Sequence, residues 1–497
     1  MNILFVASEG VPFVKTGGLA DVIGSLPIEL RNHGIDIRVV LPKYGMTAPE
    51  LCKKMSVQKC FAVTMGWRYQ YCSVLEAKQD GITYYFIGNE YCFNRSELYG
   101  YKDDAERFAF FSKAVLKSLP YLDFKPQVIH AHDWQSGLLS VFLKNHHSRD
   151  RFYRDIRTVF TVHNLYHKGL FPKEYLEDLL ELDPALFSID GIEFYGQLSF
   201  LKGGLVFSDY ITTVSPTYAQ EIKTSYYGEK LEGLLQKRSN RLKGIINGID
   251  YSRYNPATDP NIFVQYTNSM SAKAENKIQL QEMLNLPKDK KIPVIAFIGH
   301  LVEHKGLELI TGALKDILVK DVQLVFLGTG SWKYESYLQQ VARHFPDKIS
   351  VNIQLNDSLA RKIYAGADIF IRPSKFEPCG LSQMIAMRYG TIPLVRETGG
   401  LRDTVTPFNQ LTGEGNGFSF KNYNPQDMFN TICQALECFK DKETWKVIAK
   451  NAQAEDFSWK GPAQEYIDIY RGLLEEKAGY CWDGFDYVRK EGAYKIS

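Results

Sequence analysis

The run at 372–404, RPSKFEPCGLSQMIAMRYGTIPLVRETGGLRDT, restricts the fold more than any other part of the chain. Residues 369–372 are a short apolar run ending on a charge, the pattern of a strand buried on both faces of a parallel sheet. Pro373 and Pro378 bracket a loop that cannot continue the strand. From Gly380 onward Leu381, Met384, Ile385 and Met387 recur at helical spacing, and Gly390 stops the helix. Residues 391–396 return as a strand. Gly399 and Gly400 then allow backbone to approach a ligand before another helix begins near Leu401. Two helix N-termini therefore face the carboxyl ends of neighbouring strands. That crevice is where open α/β sheets bind ligands, and helix N-termini favour phosphate. Glu377 is a lone carboxylate on the loop between them, flanked by Cys379, with Thr398 just ahead of the glycine pair.

The N-terminal region has the same grammar. Residues 2–8 read as a buried strand, 9–16 as a loop, and Gly17-Gly18 open a helix that ends near His33, before a second strand at 35–41. The spacing is not GxGxxG, so the dinucleotide fingerprint is absent. Lys15, just ahead of the glycines, is placed to neutralise a phosphate whose oxygens the glycine amides bind. Further strands are predicted at 83–88, 127–131 and 157–162. His132-Asp133-Trp134 and His163-Asn164 follow the last two, both at the carboxyl ends of parallel strands. Ser215-Pro216 is a helix start, and Asn247-Gly248 in GIINGID is a turn. A second series of strands is predicted at 293–299, 322–328, 350–354 and 368–372, with helices between them and a helical segment from about Pro425.

Composition narrows the class. The 497 residues are 45% hydrophobic and 23% charged, with net charge +2, so no global field draws the chain to nucleic acid or a membrane. The N-terminus MNILFVASEG reads as a strand and not as a signal peptide. Eight cysteines without CxxC pairs fit a reducing, cytoplasmic setting and argue against structural zinc. No D-x-D triplet occurs, so no metal cofactor is expected.

The strings KTGGLADV, Y-x-D-x-x-E-R-F (as YKDDAERF), HDW, TVHN, FEPCGL, TGGL and DFSW together resemble the bacterial glycogen synthase and starch synthase family. The resemblance implies two doubly wound Rossmann-like α/β domains facing across a cleft, the GT-B architecture. It places an acceptor-side domain at 1–246, a donor domain at 247–456, and at 457–497 a helix that crosses back plus a tail. The tail at 479–497 lies beyond the match. The activity implied is transfer of glucose from ADP-glucose to the non-reducing 4-OH of an α-1,4-glucan with retention. No cofactor other than the donor substrate, no nucleic acid and no membrane is expected. Glu377, His163, Lys305 and Asp133 are the implied catalytic residues. Lys15, Gly17, Gly18, Asn247, His300, Lys305, Leu355, Cys379, Gly380, Leu381, Thr398, Gly399, Gly400 and Leu401 are implied on the donor side. His163, Asn164, Asp133 and Trp134 are implied on the sugar and acceptor side.

Two positions depart from the family pattern. GHLVEHKGLE at 299–308 aligns with x-R-L-x-x-x-K-G, so Lys305 and Gly306 match while His300 replaces the arginine that would hold the donor diphosphate with Lys305. Arginine is always charged and forked; histidine, with an unperturbed pKa of ~6.5, is only partly cationic. Losing such a contact costs roughly 2–4 kcal/mol in the transition state, or about 30- to 1000-fold in rate. Leu355 stands where an aromatic commonly stacks on the nucleobase. These changes keep two alternatives open, a low-activity paralogue acting as a glucan-binding or regulatory protein, and a related enzyme using UDP-glucose.

Overall fold

The computed structural model describes residues 1–267 and 269–476, so the tail at 479–497 lies outside the described residues. The chain divides into two compact units. The first comprises residues 1–214, 219–245 and the segment from Trp459; the second comprises 215–218 and 246–458.

The first unit carries β1 (Asn2–Val6), β2 (Asp36–Pro42), β3 (Ser56–Met65), β4 (Arg68–Gln79), β5 (Ile82–Gly88), β6 (Val128–His132) and β7 (Arg157–Val162). A small antiparallel sheet of β8 (Leu170–Pro172), β9 (Glu193–Phe194) and β10 (Gln197–Ser199) follows, then β11 (Tyr210–Thr213) and β12 (Leu242–Gly244). The main sheet runs β12-β11-β7-β6-β1-β2-β5-β4-β3. Its pairs are parallel except at the β5-β4-β3 edge, where two pairs are antiparallel. The sequence reading missed that β3–β4 hairpin. Its two-residue loop is Gly66-Trp67, with Gly66 at φ +60, the glycine-first turn that joins antiparallel strands.

The helix Gly18–Asn32 buries Leu19, Val22, Ile23, Leu26 and Leu30, a stripe at helical spacing that faces the core. The helix Lys460–Glu475 belongs to the same unit and sinks Tyr466, Ile467, Tyr470 and Leu473 into that core. Fully burying four such side chains stabilises the unit by roughly 1.5–3 kcal/mol each before entropy is counted.

The second unit is one six-stranded sheet, all parallel. Its strands are β13 (Val294–Ile298), β14 (Gln323–Leu327), β15 (Ile349–Asn352), β16 (Ile369–Arg372), β17 (Ile392–Arg396) and β18 (Phe418–Phe420). They lie in the order β15-β14-β13-β16-β17-β18. VIAFI, QLVFL and IFIR are buried almost throughout, as a sheet covered on both faces requires. The polar segment 255–291 forms one helix, Met270–Met283, and is otherwise irregular.

In both sheets the strand order reverses beside the first strand of the unit. The reversal falls between β1 and β6 in the first sheet and between β13 and β16 in the second. Loops leaving the carboxyl ends of those pairs diverge to opposite faces and open a crevice. The loops are 7–17 and 133–137 in one unit, and 299–306 and 373–381 in the other. Nearly all candidate residues named from sequence lie on them or on the loops beside them.

Candidate active site

In the first unit, the loop after β1 is organised by a carboxylate that sequence reasoning passed over. Glu9 is buried and accepts hydrogen bonds from Thr16 N (2.5 Å), Thr16 Oγ1 (2.9 Å) and Gly17 N (3.3 Å). Burial pushes its carboxyl above the ordinary range despite these donors. The loop is thereby closed on itself, and the Gly17 amide is turned inward. Lys15 is exposed, and its ammonium reaches both oxygens of Asp21 at 2.7 Å.

Around β6 and β7 lies a cluster of three histidines. His130 Nδ1 meets the Tyr470 hydroxyl at 2.7 Å and its Nε2 meets Thr161 Oγ1 at 2.5 Å. His132 Nδ1 meets His163 Nε2 at 3.1 Å, and the His130 and His132 rings stack with centroids 4.2 Å apart. Burial lowers the pKa of all three, that of His163 to about 3, so the cluster is uncharged at neutral pH. His163 is thus a hydrogen-bonding group and not a charged one.

Asp133 has φ +57, outside the usual range for a non-glycine residue. The strain turns its carboxylate back onto the next loop, where it accepts from His163 N at 2.8 Å and from the Asn164 amide. Burial raises its pKa to about 7. Asn164 in turn accepts from Tyr166 N at 3.0 Å. Trp134 is half-buried, with Phe108 edge-on at 5.0 Å, Phe171 at 5.7 Å and Gly169 against its ring, so much of the indole is packing.

In the second unit, Glu377 is the centre. Lys305 Nζ reaches its two oxygens at 2.8 and 2.9 Å, Arg372 Nε reaches Oε2 at 2.9 Å, and Ser374 Oγ donates to Oε2 at 2.9 Å. Burial alone would raise this carboxyl. Arg372 and Lys305 overcome that and hold it well below the ordinary carboxylate range, so it stays ionised. Burial lowers the pKa of Lys305, opposed by Glu377. Arg372 and Ser374 were not among the residues singled out from sequence. An arginine closing a strand and a serine in a loop carry no local signal.

The glycine pair also has a purpose within the chain. A Cβ at Gly399 would lie 2.0 Å from the Glu377 carbonyl, and one at Gly400 would lie 2.1 Å from the Cys379 carbonyl. The pair lets the protein's own 377–379 backbone approach. The Gly400 amide points to the Glu377 and Pro378 carbonyls at 3.2 Å each, and the Leu401 amide to Thr398 O at 3.1 Å. Those two amides, expected on a diphosphate, are thus engaged within the chain. The Leu401 side chain lies in a small core with Met387, Val395, Val405 and Ala452. The helix after Gly380 is also short, Ser382–Arg388.

Asn247 is buried, and its backbone and side chain both hydrogen-bond the Cys379 sulfur, whose thiol burial pushes up to about 12. The Asn247 carbonyl oxygen Oδ1 has no partner among the described residues. His300 is exposed, and partial desolvation with the nearby Lys305 and Arg372 charges lowers its pKa. It is thus a neutral ring at the position expected to hold a guanidinium. Leu355 is 77% exposed. Gly18 is exposed at the start of its helix, and Gly380 adopts φ +71. Thr398 is buried at the N-terminus of the helix Gly399–Thr404.

Among the described residues no cluster of histidine, cysteine and carboxylate groups could hold a metal ion. No helix among them is long and apolar enough to cross a membrane.

Comparison with known proteins fits this geometry. Residues 2–237 match the starch synthase catalytic domain family, and residues 280–454 match glycosyl transferases group 1. A glycogen synthase of Desulforamulus reducens is 53% identical over 475 residues, 95% of this chain and 99% of that protein. One of Geobacillus stearothermophilus is 51% identical over 478 residues, 96% and 99% of the two chains. The solved catalytic domain of starch synthase IV from Arabidopsis thaliana, bound to ADP and acarbose, superposes with TM-score 0.90 at 31% identity, covering 95% and 99% of the chains. Sucrose-phosphate synthase from Thermosynechococcus elongatus, at 18% identity and TM-score 0.59, shares the fold.

Proposed function

The chain belongs to the glycogen synthase and starch synthase family of GT-B glycosyltransferases, enzymes that join a nucleotide-sugar donor to a glucan acceptor, and from that premise we propose that its donor is ADP-glucose and its acceptor the non-reducing 4-OH of an α-1,4-glucan, with retention. The observation that carries the mechanistic reading is the clamping of Glu377 by Lys305, Arg372 and Ser374 at the crevice between β13 and β16.

A carboxylate held this way has one job open to it. Arg372 and Lys305 hold it well below the ordinary carboxylate range, so at neutral pH it is ionised and is no proton donor. Both oxygens are engaged by protein donors, which lowers nucleophilicity and disfavours a glycosyl ester. What remains is a fixed negative charge that orients the glucose hydroxyls and stabilises an oxocarbenium-like centre. Lys305, on the same carboxylate, faces the charge that develops on the departing diphosphate. No bound cation is required for that step in this reading. Neutral His163, with Asp133 fixing its backbone, hydrogen-bonds the sugar and takes no proton. In the first unit, Lys15 and the exposed first-turn amides at Gly18 are the groups suited to an anion.

The donor is decided by assay. Labelled ADP-glucose and UDP-glucose are compared on the purified protein with glycogen as primer. Incorporation at least tenfold faster from ADP-glucose is expected; equal or preferred use of UDP-glucose rejects the ADP assignment. No incorporation from either donor rejects the whole reading in favour of the glucan-binding paralogue that His300 first suggested.

A further inference from the structure

We propose that Arg372 is the positioning residue for Glu377 and the second cation of the donor-phosphate pocket, a role opened to it by the bare backbone at Gly299 and by a histidine where an arginine is expected at 300. The proposal rests on the reading of Glu377 given above.

Arg372 ends β16, and its guanidinium spans to the neighbouring strand. Nε holds Glu377 Oε2 at 2.9 Å and Nη1 holds the carbonyl of Ile298, the last residue of β13, at 3.0 Å. The group therefore bridges the two strands whose divergence makes the crevice. It lies directly over Gly299, where a Cβ would stand 2.5 Å from Nη1 and 3.5 Å from Cζ. Gly299 also has φ +149, a conformation that side-chain-bearing residues rarely adopt. A residue with a side chain at 299 would thus contest the space that the guanidinium fills.

The charge count points to an anionic ligand. Lys305 and Arg372 bring two positive charges, Glu377 brings one negative, and His300 is neutral, which leaves one surplus positive charge in a largely buried cluster. Uncompensated buried charge is costly, and an arriving anion removes the cost. An arginine at 300 with an uncharged residue at 372 would give the same sum. The cation expected at 300 has in effect moved to the adjacent strand. Nη2 of Arg372 makes no hydrogen bond to any described residue, so a donor remains for a phosphate oxygen. A planar fork that holds a carboxylate with one arm and offers another suits this double duty better than a lysine would.

The test uses the full-length protein and the variants R372M, R372K, H300R and R372M/H300R. Turnover, ADP inhibition, glucan binding and melting temperature are read for each. R372M is expected to lose about 100-fold in kcat/KM and about tenfold in ADP affinity, with glucan binding unchanged. R372K keeps the charge but not the fork, and is expected about tenfold down in kcat/KM. The double variant R372M/H300R should regain at least tenfold over R372M, which a merely structural arginine would not allow. R372M within threefold of native overturns the proposal. So does a double variant no better than R372M. Should R372M fail to fold, R372K at native activity overturns it instead. If the native protein prefers UDP-glucose, the same comparison runs with that donor and UDP, so failure of the donor assignment and failure of the Arg372 assignment are separate results.

Discussion

Two polar clusters lie at equivalent places in the two units, and they meet the cost of burial in opposite ways. In the first unit, three histidines surrender their charge and trade hydrogen bonds with one another, with Tyr470 and with Thr161. In the second, Glu377 keeps its charge and is paired with two cations. A neutral network tolerates the loss of a member at the cost of one or two unmet hydrogen bonds. A charged one does not, because each removal strands a full charge. Under the proposed function, the neutral cluster would serve sugar binding and the charged one the developing charge.

The largest expected effect comes from breaking the charged cluster. Glu377→Gln strands Lys305 and Arg372 and should cost about 3–5 kcal/mol of stability by urea denaturation, while turnover falls about 1000-fold or more. The fold should persist, and saturating ADP should raise the melting temperature more than in the native protein, because the anion meets the surplus charge. Turnover near the native rate would remove Glu377 from the mechanism.

Breaking the neutral cluster should cost less. His130→Leu leaves the Tyr470 hydroxyl without its partner and should destabilise by about 1–3 kcal/mol, with the acceptor and donor KM values little changed. A loss as large as that of Glu377→Gln would erase the contrast between the two units.

Acid should separate the clusters in order. The histidines have folded pKa values below the unfolded value of 6.5, so the unfolded chain binds more protons beneath that pH. Their stability is present above pH 6.5 and is lost as pH falls. Glu377 also has a lowered pKa, so its contribution is kept down to its unfolded value of 4.5 and lost only below it. Asp133 acts the other way. Its folded pKa of about 7 lies above the unfolded 3.8, so it lowers stability as pH rises across that interval. Asp133→Asn should therefore steepen the rise of unfolding free energy between pH 4 and 7. A flatter profile in that variant would contradict the assignment.

The smallest effect on stability is expected at Lys15. Its pair with Asp21 is solvent-exposed, so Lys15→Met should cost less than about 1 kcal/mol, yet raise the donor KM severalfold. An unchanged KM removes Lys15 from the donor side.

Much of this was legible along the chain. Strands such as VIAFI and QLVFL announce themselves because burial on both faces demands unbroken apolar runs. Lys15, His163, Lys305 and Glu377 stood out because the strings around them, KTGGLADV, TVHN, GHLVEHKGLE and FEPCGL, resemble blocks of the family. Glu9, His130, Arg372 and Ser374 did not. Glu9 looks like a loop acid, and its partners Thr16 and Gly17 meet it only when the loop closes. His130 interrupts an apolar strand and gains meaning from Tyr470, 340 residues away. The glycine pair at 399 and 400 was read as room for a ligand; the structure adds that it also admits the 377–379 backbone. The β3–β4 hairpin was missed although its Gly66-Trp67 turn was a usable signal.

The sequence by itself determined which segments become strands and helices and which loops carry charged or polar groups, because periodicity, glycine and proline act over a few residues. Only the tertiary structure decided that β13 lies beside β16, that Arg372 and Lys305 share one carboxylate, and that three histidines touch. Those outcomes depend on strand order and on how far burial shifts a charge, and neither is a property of any short stretch of chain.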